Sequence, residues 1–148
     1  MNKNTNEEIV RKAYSTAEAQ DLEAFTALFA ADGVVRDESA GVEYRGDQVG
    51  GIIETYAKAF PDMHRELYNF YAGEDTVVVE LSLNGKHSGP LSMTFGTLRP
   101  TGKEMHAPCC DVWKLKNGKI HTFDCYTAAT VILAQLGVLN NMEAALDH

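Results

Sequence analysis

An α+β fold is expected, with helices in the first part of the chain and a run of antiparallel strands after them. Apolar residues recur at helical spacing as far as Phe60, and Pro61 stops that pattern. From His64 onward the period changes to that of strands. The strand candidates follow one another with only turn signals between them, so the sheet folds back over the helices and leaves a deep apolar cup.

The elements follow in order. Thr5-Asn6-Glu7-Glu8 is a capping box, and Ile9, Ala13 and Ala17, with Val10 and Tyr14 beside them, make the apolar stripe of a first helix. Gln20-Asp21 interrupts it. Asp21 caps a short second helix holding Leu22, Phe25, Leu28 and Phe29, which Asp32-Gly33 ends. Val34–Asp37 is a short strand, followed by a polar connection from Glu38 to Gly46. A third helix from about Asp47 places Val49, Ile52, Ile53, Tyr56 and Phe60 on one stripe. Strands are expected at His64–Tyr71, Thr76–Leu83, Leu91–Leu98, Glu104–Leu115 and Lys119–Tyr126. Their breaks fall at Gly73, Asn84-Gly85, Pro100-Thr101-Gly102 and Asn117-Gly118. Thr127 opens a closing helix through Leu136, with Gly137 as its C-cap, and Val131–Leu139 covers the cup or packs on a partner subunit.

With 148 residues, the chain suits one domain with a sizeable core. A hydrophobic content of 45% and a charged content of 23% are ordinary for a globular protein. The formal net charge of −8, with no basic cluster, argues against nucleic acid and anionic membrane surfaces as partners. The opening residues carry no apolar signal core, and no run approaches a membrane span. Three cysteines, two of them adjacent, do not make a disulfide framework, so a reduced cytoplasmic chain is expected.

Glu104–Tyr126 concentrates the chemistry. It holds all three cysteines, the single tryptophan, and Asp111, His121 and Asp124. Two turns are open at Asn117-Gly118. A two-residue turn pairs Lys116 with Lys119 and sets Asp111 opposite Asp124. A three-residue loop with Gly118 in a bulge pairs Leu115 with Lys119, Asp111 with Phe123 and Cys109 with Cys125. Like charges directly opposite are destabilising, which favours the second. One face then carries Ala107, Cys109, Asp111, Trp113, Leu115, His121, Phe123 and Cys125, an apolar lining with one carboxylate in it. Asp124 is turned to the other, wetter face.

The chain resembles the SnoaL-like polyketide cyclases of the wider NTF2-like superfamily. The matching pieces are Tyr44-Arg45-Gly46, Ala59-Phe60-Pro61-Asp62, Gly85-Lys86-His87-Ser88-Gly89, Pro100-Thr101-Gly102-Lys103, Asp111-Val112-Trp113-Lys114, Gly118-Lys119-Ile120 and Gln135-Leu136-Gly137. The resemblance implies an NTF2-like, cystatin-like cone, in which a curved antiparallel sheet wraps the N-terminal helices. It also implies a homodimer with one pocket per subunit, a hydrophobic small-molecule substrate, and ring closure by intramolecular aldol condensation without metal or cofactor. Pocket residues of the family fall at positions 109, 111 and 125, and its catalytic aspartate falls on Cys125. A thiol is mostly protonated near neutral pH and does not simply replace a carboxylate base. Asp111 is therefore the better candidate for the acid/base.

Each candidate has a plainer reading beside it. Asp111 could equally serve as a buried acceptor for tyrosine or backbone donors. Cys125 and Cys109 are nucleophiles only if a base such as His121 makes a thiolate; packing as small hydrophobes is the commoner role. His87 could orient a substrate carbonyl or simply fix its loop. Asp37 and Tyr56 reach the cup from the opposite wall, while Trp113 and Phe123 line it. A zinc site from His106, Cys109, Cys110 and His121 is not expected, because alternation puts His106 and Cys110 on the opposite face from the other two. An enzyme acting on a carbonyl compound and a non-catalytic module holding an apolar ligand both remain open.

Overall fold

The structure, a computed structural model, describes residues 3–139. Helix α1, Lys3–Glu18, buries Val10, Ala13, Tyr14 and Ala17 on one stripe, as their spacing requires. It begins two residues before Thr5, so the expected capping box lies inside the first turn and does not start the helix. Helix α2, Leu22–Ala27, is capped as expected: the Asp21 side chain accepts from the Ala24 N–H at 3.1 Å. It is shorter than its apolar pattern suggests. Phe29 already belongs to strand β1, Phe29–Asp37, where it packs on Phe25 and on Trp113. Tertiary burial of that ring outweighs one more residue of helix.

Strand β2, Val42–Arg45, and a single 3₁₀ turn lead to helix α3, Gly51–Ala59, which buries Ile52 and Ile53. Phe60 caps it in a non-helical conformation, φ −129° and ψ 79°, ahead of Pro61. Strands β3, His64–Ala72, and β4, Thr76–Lys86, follow. Asn84-Gly85 is not a break, since both residues stay paired with His106 and Met105 of strand β7, Glu104–Lys116. Gly85 serves a close approach, because a Cβ there would lie 3.2 Å from that of Phe60. The single strand expected at Leu91–Leu98 is instead a small hairpin, β5 Leu91–Met93 and β6 Gly96–Leu98. Strand β8, Lys119–Thr127, and helix α4, Ala129–Gln135, complete the chain, with Gly137 at φ +73° past the helix end.

The main sheet has the order β2-β1-β8-β7-β4-β3. Every pair is antiparallel except β1–β8, which the sequence pattern of consecutive strands did not anticipate. That pairing joins strands far apart in the chain, so no hairpin dictates its direction. The sheet curves over α1 and α3 and places β7 and β8 at its centre. No helix among the described residues is long and apolar enough to cross a membrane.

The β7–β8 hairpin corrects the expected turn. Asn117 and Gly118 both have positive φ, 53° and 76°, and Lys116 pairs with Lys119 in a two-residue turn. Left alone, that register would set Asp111 against Asp124. A bulge at His121 prevents it: Leu115 pairs with Ile120, but Lys114 pairs with Thr122. Beyond the bulge, Asp111 lies opposite Cys125 and Cys109 opposite Thr127, not Phe123 and Cys125 as expected. The two registers share parity, so Cys109, Asp111, Trp113, Phe123 and Cys125 all face inward. Only His121 loses its place; Ile120 is buried and His121 is half-exposed.

Candidate active site

The centre of the site is one rung of the sheet. Asp37 of β1 pairs with Cys125 of β8, which pairs with Asp111 of β7. All three are buried, at 3%, 6% and 2% exposure. Strand spacing puts the two aspartate backbones about 10 Å apart with the thiol between them. The rung on one side is apolar, Val35–Phe123–Trp113, and the rung on the other holds Thr127 and Cys109. The polar groups thus form a narrow band in a greasy wall.

Each carboxylate has its own tyrosine. Tyr14 on α1 donates its hydroxyl to Asp111 Oδ2 at 2.6 Å, and the Trp113 indole N–H donates to the Tyr14 oxygen at 3.0 Å. Trp113 is held flat against Phe123, with ring centres 3.8 Å apart. Tyr56 on α3 donates to Asp37 Oδ2 at 2.8 Å, and the Ala40 N–H donates to Asp37 Oδ1. Burial pushes Asp111 up to about 6, against the Tyr14 and thiol hydrogen bonds that favour its charged form. Burial also raises Asp37, with Tyr56 the main opposing influence. Burial and the adjacent carboxylate push Tyr14 and Tyr56 well above the ordinary phenol range.

The thiols are tied into the same network. Cys109 Sγ donates to Asp111 Oδ1 at 3.3 Å and lies 3.7 Å from Cys125 Sγ. Cys125 Sγ is 3.2 Å from the Thr127 hydroxyl. The contact from Cys109, and then burial, lift the Cys125 thiol well above its normal value. For Cys109 the Cys125 contact pulls downward, but burial and Asp111 push harder and the net shift is upward. Both are thiols at neutral pH, so neither is set up as a nucleophile.

Two cavities adjoin the rung. The inner one, bordered by Tyr14, Ile53, Asp111, Trp113, Phe123 and Cys125, leaves about 30 Å³ for the centres of water molecules. The outer one, bordered by Asp37, Tyr44, Leu91, Met93, Ile132 and Leu133, leaves about 40 Å³. Tyr56 lines both and stands between them. Helix α4 therefore covers part of the cup, as expected for the closing segment.

The remaining sequence candidates are distributed differently. His121 lines neither cavity, because the bulge turns it out of the inward row. His87 is fully buried, but in the loop after β4: the Thr101 N–H donates to its Nδ1 at 3.1 Å, and the ring packs on Phe60. That fixes the loop and leaves His87 outside both cavities. Asp124 faces the outer side, ion-paired to Arg36 at 3.0 Å. Tyr14 and Thr127 were missed as site residues. The available signal was Tyr14 as the phenol on the buried stripe of α1, since a buried phenol needs a partner.

The architecture is that of the NTF2 and ketosteroid isomerase-like folds: N-terminal helices against a curved, unclosed sheet. A SnoaL-like domain model matches residues 10–122. The chain belongs to that family. A candidate SnoaL-like polyketide cyclase from Jannaschia sp. superposes with a TM-score of 0.81 at 17% identity, covering 90% of this chain and 92% of the other. IdmH, a candidate polyketide cyclase from Streptomyces antibioticus, gives 0.73 at 22% identity, covering 89% and 98%. A protein of ketosteroid isomerase-like fold from Catenulispora acidiphila, in complex with trimethylamine, gives 0.74 at 22% identity, covering 88% and 93%. No curated protein matches the chain in sequence.

Proposed function

We propose that the chain is an enzyme that needs no cofactor and moves a proton beside the carbonyl of a small apolar compound, by isomerisation or aldol-type ring closure. The observation that carries this reading is the buried rung Asp37–Cys125–Asp111 with a tyrosine hydroxyl on each carboxylate. A carboxyl group near 6 exchanges a proton readily at physiological pH, which suits Asp111 to take the proton α to the carbonyl. Tyr56 lines both cavities. Burial favours the neutral form of Asp37; when that carboxyl carries a proton and donates it to the Tyr56 oxygen, the Tyr56 hydroxyl is free to donate toward the developing enolate oxygen. By the family resemblance, Cys125 corresponds to the position of the family's aspartate. A neutral thiol there avoids a third carboxylate on one rung, which would repel the other two.

The room at Asp111 is that of one or two water molecules, so the reacting end of the substrate is small. The outer cavity is scarcely larger, and its mainly apolar lining supports a small hydrophobic remainder. The SnoaL-like domain match and the cyclase-like neighbours are in keeping with this reading. A homodimer, implied by the family resemblance, and a reducing cytoplasmic setting, consistent with three free cysteines, belong to the same proposal.

The test is deuterium exchange of α-protons, followed by NMR, for a panel of apolar ketones and esters in D₂O. The parent protein is expected to accelerate exchange for some members, and Asp111→Asn to lose that by roughly a hundredfold or more. Equal rates in parent and variant would remove Asp111 from the role. Saturable binding without any exchange would favour the non-catalytic ligand module, for which Cys125 in place of the family aspartate is the specific support.

A further inference from the structure

The thiol pair beside Asp111 is unused by that chemistry, and its geometry is informative. Cys109 and Cys125 approach to 3.7 Å, which invites the idea of a disulfide. The register argues against one. Cys109 lies opposite Thr127 and Cys125 opposite Asp111, so the two cysteines are diagonal neighbours. Diagonal backbones stand about 7–8 Å apart, at or beyond the reach of an unstrained S–S bond.

The same separation suits a different bond. In a tetrahedral site with zinc–sulfur about 2.3 Å and zinc–oxygen about 2.0 Å, sulfurs lie about 3.8 Å apart and sulfur lies about 3.5 Å from oxygen. Here Cys109 Sγ to Cys125 Sγ is 3.7 Å, Cys109 Sγ to Asp111 Oδ1 3.3 Å, Cys109 Sγ to Thr127 Oγ1 3.6 Å, and Cys125 Sγ to Thr127 Oγ1 3.2 Å. The three ligand atoms of Cys109, Asp111 and Cys125 lie within 4.8 Å of one another. We propose that Cys109, Cys125 and Asp111, closed by the Thr127 hydroxyl, form a binding site for one thiophilic divalent cation of the zinc type.

Three further features fit. Two sulfurs select a soft cation over magnesium or calcium. Tyr14 holds Asp111 by Oδ2 and leaves Oδ1 turned toward Cys109, the outer support that a metal-binding carboxylate needs. The inner cavity borders Asp111 and Cys125 on the face to which the thiols point, and so gives an ion room beside them. Binding replaces the two thiol protons, which pass to solvent, and it occupies Asp111. The loaded protein is then closed to proton transfer. The inference does not depend on the proposed enzymatic reading, because it stands on the thiol geometry alone.

The experiment titrates chelator-treated full-length protein with Cd²⁺, then displaces it with Zn²⁺. Binding is read by the ultraviolet thiolate-to-metal charge-transfer band and by native mass spectrometry. One equivalent with a two-thiolate band is expected. Cys109→Ala and Cys125→Ala should each weaken binding by roughly a hundredfold, and Cys110→Ala should bind as the parent does. Should Cys125→Ala fail to fold by circular dichroism, Cys109→Ala decides the matter. No band in the parent, or unchanged affinity in Cys109→Ala, overturns the site. None of these readouts involves turnover, so failure here leaves the proton-transfer proposal standing, and the reverse also holds.

Discussion

Tyr14 on the first helix and Asp111 on the seventh strand, 97 residues apart in sequence, meet through a hydroxyl-to-carboxylate hydrogen bond of 2.6 Å inside the protein. That bond favours the charged carboxylate, while the apolar wall around it favours the neutral acid. Tyr14→Phe removes the donor and leaves the Trp113 indole N–H without its acceptor. Stability is expected to fall by about 2 kcal/mol, and the Asp111 titration, followed by carboxyl carbon NMR, to move above its present position near 6.

The pH dependence of stability follows from the same group. Asp111 titrates near 6 when folded and near the ordinary carboxylate value when unfolded. Between those values the folded state binds more protons, so stability declines as pH rises through the window and stays reduced above it. The cost at neutral pH is at most about 3 kcal/mol. In chelator-treated protein, Asp111→Asn should therefore gain most relative to the parent at pH 8, with little gain near pH 4. Melting curves across that range check it, and a gain that grew toward acid pH would contradict the buried-carboxylate argument.

Asp124, the neighbour of Cys125, has a different fate. It faces outward and pairs with an Arg36 side chain that is 34% exposed. Asp124→Asn should leave α-proton exchange unchanged and cost no more than about 0.5 kcal/mol, because the partially solvated pair is screened. Exchange lost in this variant would return the acid/base role to the last strand.

His121 is expected to be equally dispensable for exchange. His121→Gln keeps a polar side chain at the bulge, and the buried row from Ile120 through Phe123 to Cys125 does not need the imidazole. Exchange rates measured from pH 5 to 8 should match those of the parent.

Gly89 carries a steric constraint. A Cβ at this position would fall 1.8 Å from the Lys58 carbonyl oxygen at the end of α3. Gly89 and Ser88 both donate their N–H groups to the Ala59 carbonyl there. Gly89→Ala should destabilise by about 3 kcal/mol. The melting temperature should fall by roughly 10 °C.

Much of this molecule is legible in the order of its residues. Amphipathic periods place α1 and α3, Asp21 announces the cap of α2, and alternation in Glu104–Tyr126 sorts an apolar face with one carboxylate from a wetter one. Those signals are local: each depends on residues within a turn of helix or a few positions of strand. The hairpin shows where locality ends. Asn117-Gly118 makes the two-residue turn its residue types prefer, but charge repulsion between Asp111 and Asp124 is relieved by a bulge at His121 and not by a longer loop. The inward face is the same by either route; the cross-strand partners are not.

The sequence by itself determined the fold class, the faces of the central hairpin and the isolation of Asp111 among apolar side chains, because periodicity and turn chemistry act at short range. The parallel pairing of β1 with β8, the rung that sets Cys125 between Asp37 and Asp111, and the tyrosines that serve those carboxylates were decided only in three dimensions. They join segments many residues apart, and which buried hydroxyl meets which buried carboxylate depends on how α1 and α3 lie against the curved sheet.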